Sequence, residues 1–239
     1  MFFTRLPVPA WVGYSEEQMN RAARYFPLIG LLVGAWGALV FVAADALFSR
    51  EVALLLSMVA TIQLTGAFHE DGFADFCDGF SRGGDHKTIL LRMKTSTLGA
   101  PGVIGLTGML TLKFFALQAV PNVALALLVG HGLSRWFAIS MFYTMDYARE
   151  DDTGKSKPMA KRISLPGLLF AGATVAGVAL LLPWTELLLV LTAMLTARLA
   201  LGALFTARLG GYTGDCAGAL QQVCEVAGYV ALATWLANA

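Results

Sequence analysis

The segment FPLIGLLVGAWGALVFVAADALF, residues 26–48, contains a single charged residue, Asp45, among 23 residues. A helix needs about 20 mostly apolar residues to span the hydrocarbon layer of a bilayer. Six more segments of this kind follow along the chain. The sequence therefore predicts an all-α, polytopic membrane protein that forms one membrane-embedded catalytic domain over residues 1–239. We expect about seven transmembrane helices, near 26–48, 52–68, 98–119, 122–145, 165–183, 187–208 and 220–238.

The composition supports this fold class. Of the 239 residues, 57% are hydrophobic and only 14% are charged. A water-soluble domain carries about 25% charged residues, and so few charges would not cover its surface. The net charge of +1 provides no basic stripe to neutralise phosphates, which argues against binding of nucleic acid. The three cysteines are too few and too irregularly spaced for a disulfide framework or a zinc site.

Basic residues are distributed unevenly between the two sides of the predicted layout. Thirteen of the 17 Lys and Arg residues lie before the first span, in the long loops, or at the end of the sixth span, whereas the opposite side has only Arg50. Short cytoplasmic loops collect Lys and Arg. We therefore expect the N-terminus and the three long polar loops, 69–97, 146–164 and 209–219, to lie in the cytoplasm, with the C-terminus outside.

The acidic motif HEDGFADFCDGF, residues 69–80, follows the second span. Its Asp71, Asp75 and Asp78 are spaced i, i+4 and i+7, which places three carboxylates on one face of a helix. Like charges at this spacing repel, and Mg²⁺ would neutralise them because it takes carboxylate oxygens together with water and substrate phosphate. We interpret the three as catalytic and metal-binding residues of a diphosphate site. The alternative is a solvated acidic cap that pairs with the basic residues after it.

The glycine-rich motif GGYTGDCAGA, residues 210–219, lies in the last polar loop. Glycines allow a backbone to approach a ligand closely, and a turn that opens a helix presents free N–H groups to an anion. We therefore expect Gly211, Thr213 and Gly214 to contact substrate. Asp215 is either the N-cap of the following helix or a further catalytic metal ligand. The layout places this loop on the same side of the membrane as the acidic motif.

Three other polar residues near these motifs are candidates for substrate binding. Lys94 and Ser96 belong to the segment KTSTLGAPG, residues 94–102, which suits either phosphate oxygens or an ordinary helix cap with a snorkelling lysine. His69 heads the acidic motif and is either a ligand of substrate or a hydrogen-bonded structural residue.

Charged residues inside the predicted spans form a separate group. His131 and Arg135 lie four residues apart on one helix face. A buried intramembrane arginine normally faces the bundle interior and meets an anion, here substrate phosphate or a structural partner such as Asp146. We expect Lys113 and Arg198 to snorkel from their spans towards the interface.

Several motifs along nearly the whole chain resemble those of one family. They are HEDGFADFCDGF at 69–80 with Lys94 beyond it, YAR at 147–149, GGYTGDCAGALQQ at 210–222, TRLPVP at 4–9 and YFPLIG at 25–30. Together these motifs are similar to those of the cobalamin synthase family, whose members are adenosylcobinamide-GDP ribazoletransferases.

The resemblance implies a function and a location. It implies a multi-pass enzyme of the bacterial inner membrane, with its active site facing the cytoplasm, that requires Mg²⁺. Such an enzyme joins α-ribazole or its 5′-phosphate to adenosylcobinamide-GDP and releases GMP. The family's site residues carry over to Asp71, Asp75, Asp78 and Asp215. The lipid bilayer is the expected surrounding, and the oligomeric state stays open, a homo-oligomer included.

Two other functions fit parts of the pattern. CDP-alcohol phosphotransferases are also helical, Mg²⁺-dependent and rich in aspartate, but their motif requires alanine and arginine where this chain has Asp75 and Phe76. A transporter would use Arg135 and His131 as a substrate path. Most polar residues here cluster at one interface rather than at the midplane, which counts against transport.

Overall fold

The structure is a computed structural model that describes residues 4, 5, 7, 15–148 and 160–238. All of its regular secondary structure is helical within these residues. A 3₁₀ turn, Ala23–Tyr25, joins the first two helices. The ten α-helices are α1 Glu16–Ala22, α2 Phe26–Asp45, α3 Arg50–Thr65, α4 Phe68–Ser81, α5 His86–Thr95, α6 Ala100–Ala119, α7 Val123–Thr144, α8 Leu165–Ala179, α9 Trp184–Leu209 and α10 Gly214–Asn238.

The number of spans differs from the predicted seven. Within the part of the chain that the structure describes, five helical segments are long and apolar enough to cross a bilayer, and the pair α3 and α4 makes a sixth if it counts as one broken span. The α8 helix has only 15 residues. The helical polytopic class is confirmed, whereas a count of seven is not.

A sharp bend separates α3 from α4. The two helix axes differ by 88° across the break. Gly66 and Ala67 both adopt left-handed backbone angles, with φ of 70° and 58°, so the helical hydrogen-bond pattern stops at Thr65. The predicted span 52–68 therefore ends early, and the acidic motif forms a separate helix that turns back into the bundle.

The α7 and α10 helices form the centre of the bundle. In each of them 72% of the 18-residue apolar stretch is buried inside the protein, compared with 17% in α9 and 22% in α6. The α7 helix packs against α2, α8 and α10, and α10 also packs against α4, α6 and α9. Side chains on α7 and α10 therefore face protein rather than lipid, which allows both helices to carry polar groups.

The polar loops meet at one end of this bundle. The loop after α7 pairs with the loop before α10, because Ala148 N–H donates to the Tyr212 carbonyl (2.8 Å) and Tyr212 N–H donates to the Asp146 carbonyl (2.9 Å). Arg208, in the last turn of α9, donates to the Gly84 carbonyl after α4 (3.3 Å). At the other end Arg50 donates to the Val120 carbonyl (2.5 Å). The long loops therefore share one end, and its cytoplasmic location stays a prediction.

Candidate active site at one end of the bundle

The α4 helix presents the aspartates of the acidic motif at this end. Asp75 is buried at 7% exposure, Asp78 is half-buried, and Asp71 is exposed. Asp75 lies within electrostatic range of Asp71, Asp78 and Asp215, all of which are like charges. The structure thus brings together the four aspartates that the two motifs supply, and their mutual repulsion favours a cation among them.

Asp78 connects α4 to the start of α6. One carboxylate oxygen accepts the N–H of Gly99 (2.8 Å) and the other accepts the N–H of Gly102 (3.0 Å). The first N–H groups of a helix have no partner within the helix and carry a partial positive charge. Asp78 therefore caps α6, a structural role in addition to the metal-binding role predicted for it.

Ser96 holds the buried aspartate of α4. Its hydroxyl donates to Asp75 Oδ2 (3.0 Å), and its backbone adopts a left-handed φ of 47° where α5 ends. Lys94 lies half-buried in the last turn of α5, two residues before Ser96. The structure thus places Ser96 of the predicted 94–102 segment on a carboxylate of the acidic motif, and a substrate contact of Lys94 stays a prediction.

The glycine-rich loop is fixed by its pairing with the loop after α7. A side chain at Gly211 would place a Cβ atom 2.2 Å from the Asp146 carbonyl oxygen, so only glycine fits there. Tyr212 stacks on Phe142 with ring centroids 5.1 Å apart and donates its hydroxyl to the Lys161 carbonyl (3.0 Å). Burial raises the pKa of the Tyr212 phenol well above its ordinary value, so the hydroxyl remains a donor.

Thr213 is the residue that caps α10. Its hydroxyl accepts the N–H of Cys216 (3.3 Å) and it is fully buried. Of the two interpretations of Asp215, the N-cap is wrong because Thr213 takes that place. Asp215 is the second residue of α10, half-buried in the first turn. A Cβ atom at Gly72 would lie 3.2 Å from Asp215 Cα, so α4 and α10 cross with their backbones in close contact.

The aspartate carboxylates could provide some of the ligands of a magnesium ion, with water and substrate phosphate as the others. Among the described residues no group of three His, Cys, Asp or Glu side chains is arranged to hold a metal ion alone. Mg²⁺ usually keeps several waters and binds through one or two carboxylates plus substrate phosphates. Buried Asp75 with one of its neighbouring aspartates would provide the carboxylates for that mode of binding.

Comparison with known proteins places this site in a family. The family model described as cobalamin-5-phosphate synthase matches residues 1–233. The chain belongs to the cobalamin-5-phosphate synthase family. The predicted family resemblance is therefore confirmed. No solved structure matches the chain.

Curated relatives of this family member carry one name, adenosylcobinamide-GDP ribazoletransferase. The protein of Shewanella frigidimarina is 42% identical over 97% of this chain and 90% of its own length. That of Shewanella amazonensis is 43% identical over 97% and 91%, and that of Leptothrix cholodnii is 42% identical over 99% and 92%. These names confirm the predicted enzyme class, a transferase in cobalamin biosynthesis, and favour it over a CDP-alcohol phosphotransferase or a transporter.

This member of the cobalamin-5-phosphate synthase family also contains a buried polar cluster in the middle of the bundle. Glu225 of α10 accepts from Lys113 of α6 (2.5 Å) and from Gln221 (2.6 Å), and it lies 3.0 Å from the His131 Nδ1 atom of α7. Gln222, which follows Gln221 in α10, donates to Glu70 of α4 (3.0 Å). The cluster joins α4, α6, α7 and α10.

Arg135 belongs to this cluster. One guanidinium nitrogen donates to the His131 carbonyl (3.0 Å) and lies 3.1 Å from His131 Nδ1. Its guanidinium carbon lies 5.5 Å from the ring centroid of Phe26. The suggested partner Asp146 is wrong, since Asp146 follows the far end of α7, where its carbonyl accepts from Tyr212. Arg135 is only 1% exposed and therefore lies in the protein interior, and its contact with substrate stays a prediction.

His69 also faces the interior. Its ring packs edge-on against Phe26 and Phe68, with centroids 5.6 and 5.4 Å apart, and neither ring nitrogen has a hydrogen-bond partner within the described part of the chain. The structure therefore does not place the His69 ring with Asp75 and Ser96.

The expectation that Lys113 and Arg198 snorkel is wrong. Lys113 is only 2% exposed because Glu225 neutralises it inside the bundle. Arg198 of α9 donates to Ser140 (2.9 Å) and Thr144 (2.5 Å) of α7. Sequence reasoning missed Glu225, although an ionisable residue inside a predicted span is itself a signal of a buried partner.

Proposed function

We propose that the chain joins α-ribazole or its 5′-phosphate to adenosylcobinamide-GDP, with release of GMP. The product is adenosylcobalamin or its 5′-phosphate. The names of the relatives support the corrinoid substrate. The observation that carries the proposal is the convergence of Asp75 with Asp71 and Asp215 at the end of the bundle where the polar loops meet. Such a cluster suits a metal-bound diphosphate.

The proposed reaction exchanges one phosphate ester for another. A ribose hydroxyl attacks the phosphorus on the corrinoid side, and the bond from that phosphorus to the bridging oxygen breaks. GMP leaves with the bridging oxygen, and the hydroxyl proton is released. The two acceptors differ only at the 5′ position, so the nucleophile is a hydroxyl that both retain. Attack at the guanosine side would instead yield a guanylylated ribazole.

The two helix N-termini at this end attract the diphosphate. The α6 and α10 helices, with 20 and 25 residues, begin beside the carboxylates. The positive dipole ends of both helices offset part of the acidic charge, and at α6 Asp78 already accepts the N–H groups of Gly99 and Gly102. Lys94 adds a cation nearby. The substrate diphosphate therefore meets positive potential at both sides of the aspartates.

The aspartates have distinct proposed roles. Asp71, Asp75 and Asp215 would hold Mg²⁺ against the diphosphate oxygens. When bound, this ion supplies charge neutralisation that makes GMP a better leaving group. Ser96 keeps Asp75 oriented, and Asp78 fixes the start of α6 against α4. We further propose that this end faces the cytoplasm of a bacterial inner membrane, as the distribution of basic residues indicates.

An assay with the purified full chain in detergent tests the function. The chain is incubated with adenosylcobinamide-GDP, α-ribazole and Mg²⁺, and the products are separated by chromatography. We expect equal amounts of adenosylcobalamin and GMP, and none of either with EDTA in place of Mg²⁺. A guanylylated ribazole, or full activity in EDTA, would contradict the proposal.

A further inference from the structure

A basic cleft lies between α1 and the start of α8. Its volume is about 540 Å³, and its lining includes Arg21, Arg24, Arg162 and Phe170. The lining segments lie far apart in the sequence, so the cleft is a product of the fold. The proposed reaction gives it no role.

The two walls of the cleft are held together by one side chain of α1. Asn20 Oδ1 accepts the backbone N–H groups of Lys161 (2.8 Å) and Arg162 (3.2 Å). The next residue, Ile163, donates its N–H to the Phe142 carbonyl of α7 (3.3 Å). Arg162 therefore has a fixed backbone position opposite the arginines of the first wall.

The charges that line the cleft are unbalanced. Three arginines face one acidic residue, Glu17, which accepts from Arg21 at 2.6 Å. Two positive charges remain in excess. The guanidinium carbon of Arg24 lies 4.9 Å from the ring centroid of Tyr25 and 5.8 Å from that of Phe170, a stacked arrangement that limits its freedom. The cleft is therefore partly preorganised to receive an anion.

The location of the cleft identifies the kind of anion. Large apolar side chains on the adjoining α2 and α8 are exposed, among them Leu28, Leu32, Leu165 and Leu169. In a polytopic protein such side chains face lipid, and the arginines begin where this apolar surface ends. A site at that level meets lipid headgroups.

The cleft is also separate from the carboxylates. The α8 helix packs against α2 and α7, whereas α4 packs against α5, α6 and α10. Although the Lys161 carbonyl accepts from Tyr212 of the glycine-rich loop, the lining of the cleft includes none of the four aspartates, so Arg24 and Arg162 would hold a different phosphate. We propose that this cleft binds the phosphate headgroup of an anionic phospholipid, with the acyl chains against the exposed leucines of α2 and α8.

Native mass spectrometry of the full chain in detergent tests this site. The probes are phosphatidylglycerol, zwitterionic phosphatidylcholine, and GMP as a soluble phosphate. The test variant is the double substitution Arg24→Gln with Arg162→Gln. The matched control, Arg82→Gln with Lys87→Gln, removes two exposed charges from the segment after α4, at the end of the bundle where the loops meet.

We expect the unmodified chain to bind one molecule of phosphatidylglycerol, and to bind it more tightly than phosphatidylcholine. Each basic residue near a lipid surface contributes about 1 kcal/mol, so losing two should weaken binding about 30-fold. The control should bind as the unmodified chain does. Arg24→Lys with Arg162→Lys keeps both charges and should retain most of the affinity, which separates lost charge from damaged folding.

Three results would overturn the assignment. Equal binding of phosphatidylglycerol by the unmodified chain and the glutamine variant would show that the lipid binds elsewhere. Saturable binding of GMP that competes with phosphatidylglycerol would assign the cleft to a soluble phosphate. Loss of binding in the control as well would show that the charge effect is not local. None of these readouts depends on the proposed transferase activity.

Discussion

Lys113 Nζ lies 2.5 Å from Glu225 Oε1, and the two side chains are only 2% and 0% exposed. The pair connects α6 to α10 inside the buried polar cluster of the bundle. Removing one partner of a buried pair leaves the other charge uncompensated, whereas replacing both with apolar groups is often tolerated.

This relationship predicts a non-additive effect on stability. Lys113→Met should destabilise the protein by about 3–5 kcal/mol, and adding Glu225→Gln should recover part of that loss. Thermal unfolding in detergent, followed by tryptophan fluorescence, measures both. The exposed Lys87→Met serves as the control and should unfold as the unmodified chain does. A double variant that is less stable than Lys113→Met would show that the pair is not a charge-compensating unit.

Asp75→Asn should abolish most turnover without lowering stability. The substitution preserves shape, removes a charge from the proposed metal site and reduces like-charge repulsion among the aspartates. We expect a loss of at least about 10²-fold in kcat. The rate of GMP release and the unfolding temperature are measured together. Asp45→Asn, at the exposed end of α2, is the matched control. Near-normal activity of Asp75→Asn would contradict the shared metal site.

Asp78→Asn should behave differently. Both oxygens of Asp78 accept backbone N–H groups, and an amide can accept only at its one oxygen. One N–H at the start of α6 then loses its partner, at a cost of about 1–3 kcal/mol. We expect a lower unfolding temperature together with lower activity. Lost activity at unchanged stability would instead mean that the charge of Asp78 serves as a ligand.

Gly211→Ala should disrupt the paired loops. Its Cβ atom would lie 2.2 Å from the Asp146 carbonyl oxygen, so the loop before α10 must shift and Asp215 with it. Overpacking of this kind costs about 1–3 kcal/mol. Thermal unfolding and GMP release report the two effects. Gly177→Ala, where a Cβ atom meets nothing within 4 Å in α8, is the control and should be neutral or stabilising.

The sidedness of the loops can be measured with reporter fusions. The contacts between Arg208 and Gly84 and between Tyr147 and Tyr212 place three loops at one end of the bundle. A reporter fused after residue 85 should therefore read as cytoplasmic, and one in the loop at residue 121 as external. The same reading at both sites would mean that α6, which lies between them, does not cross the bilayer.

The sequence was sufficient for the local features of the site. Spacing of i, i+4 and i+7 places Asp71, Asp75 and Asp78 on successive turns of one helix face, and this depends only on helix geometry. Ser15, followed by Glu16 and Glu17, is the N-cap of α1, and its hydroxyl accepts the Gln18 N–H at 3.1 Å, a contact that depends on local sequence alone. Apolar runs likewise predicted the helical membrane class.

Long-range contacts were beyond the sequence. Nothing in the local pattern indicates that Glu225 neutralises Lys113 rather than leaving it to snorkel. The bend after Thr65 was missed because Ala67 adopts a left-handed φ that an alanine rarely takes. The role of Asp215 stayed open for a similar reason, since the choice of Thr213 as cap depends on where the loop pairs.

The close crossing of α4 and α10 at Gly72 has a consequence for biosynthesis. The surface that receives the acidic helix is supplied by Asp215, Gly218 and Gln222, which are near the end of the chain. Chains emerge from the ribosome amino end first. The aspartates of α4 are therefore synthesised long before their binding surface exists, and the candidate site can assemble only after translation of α10.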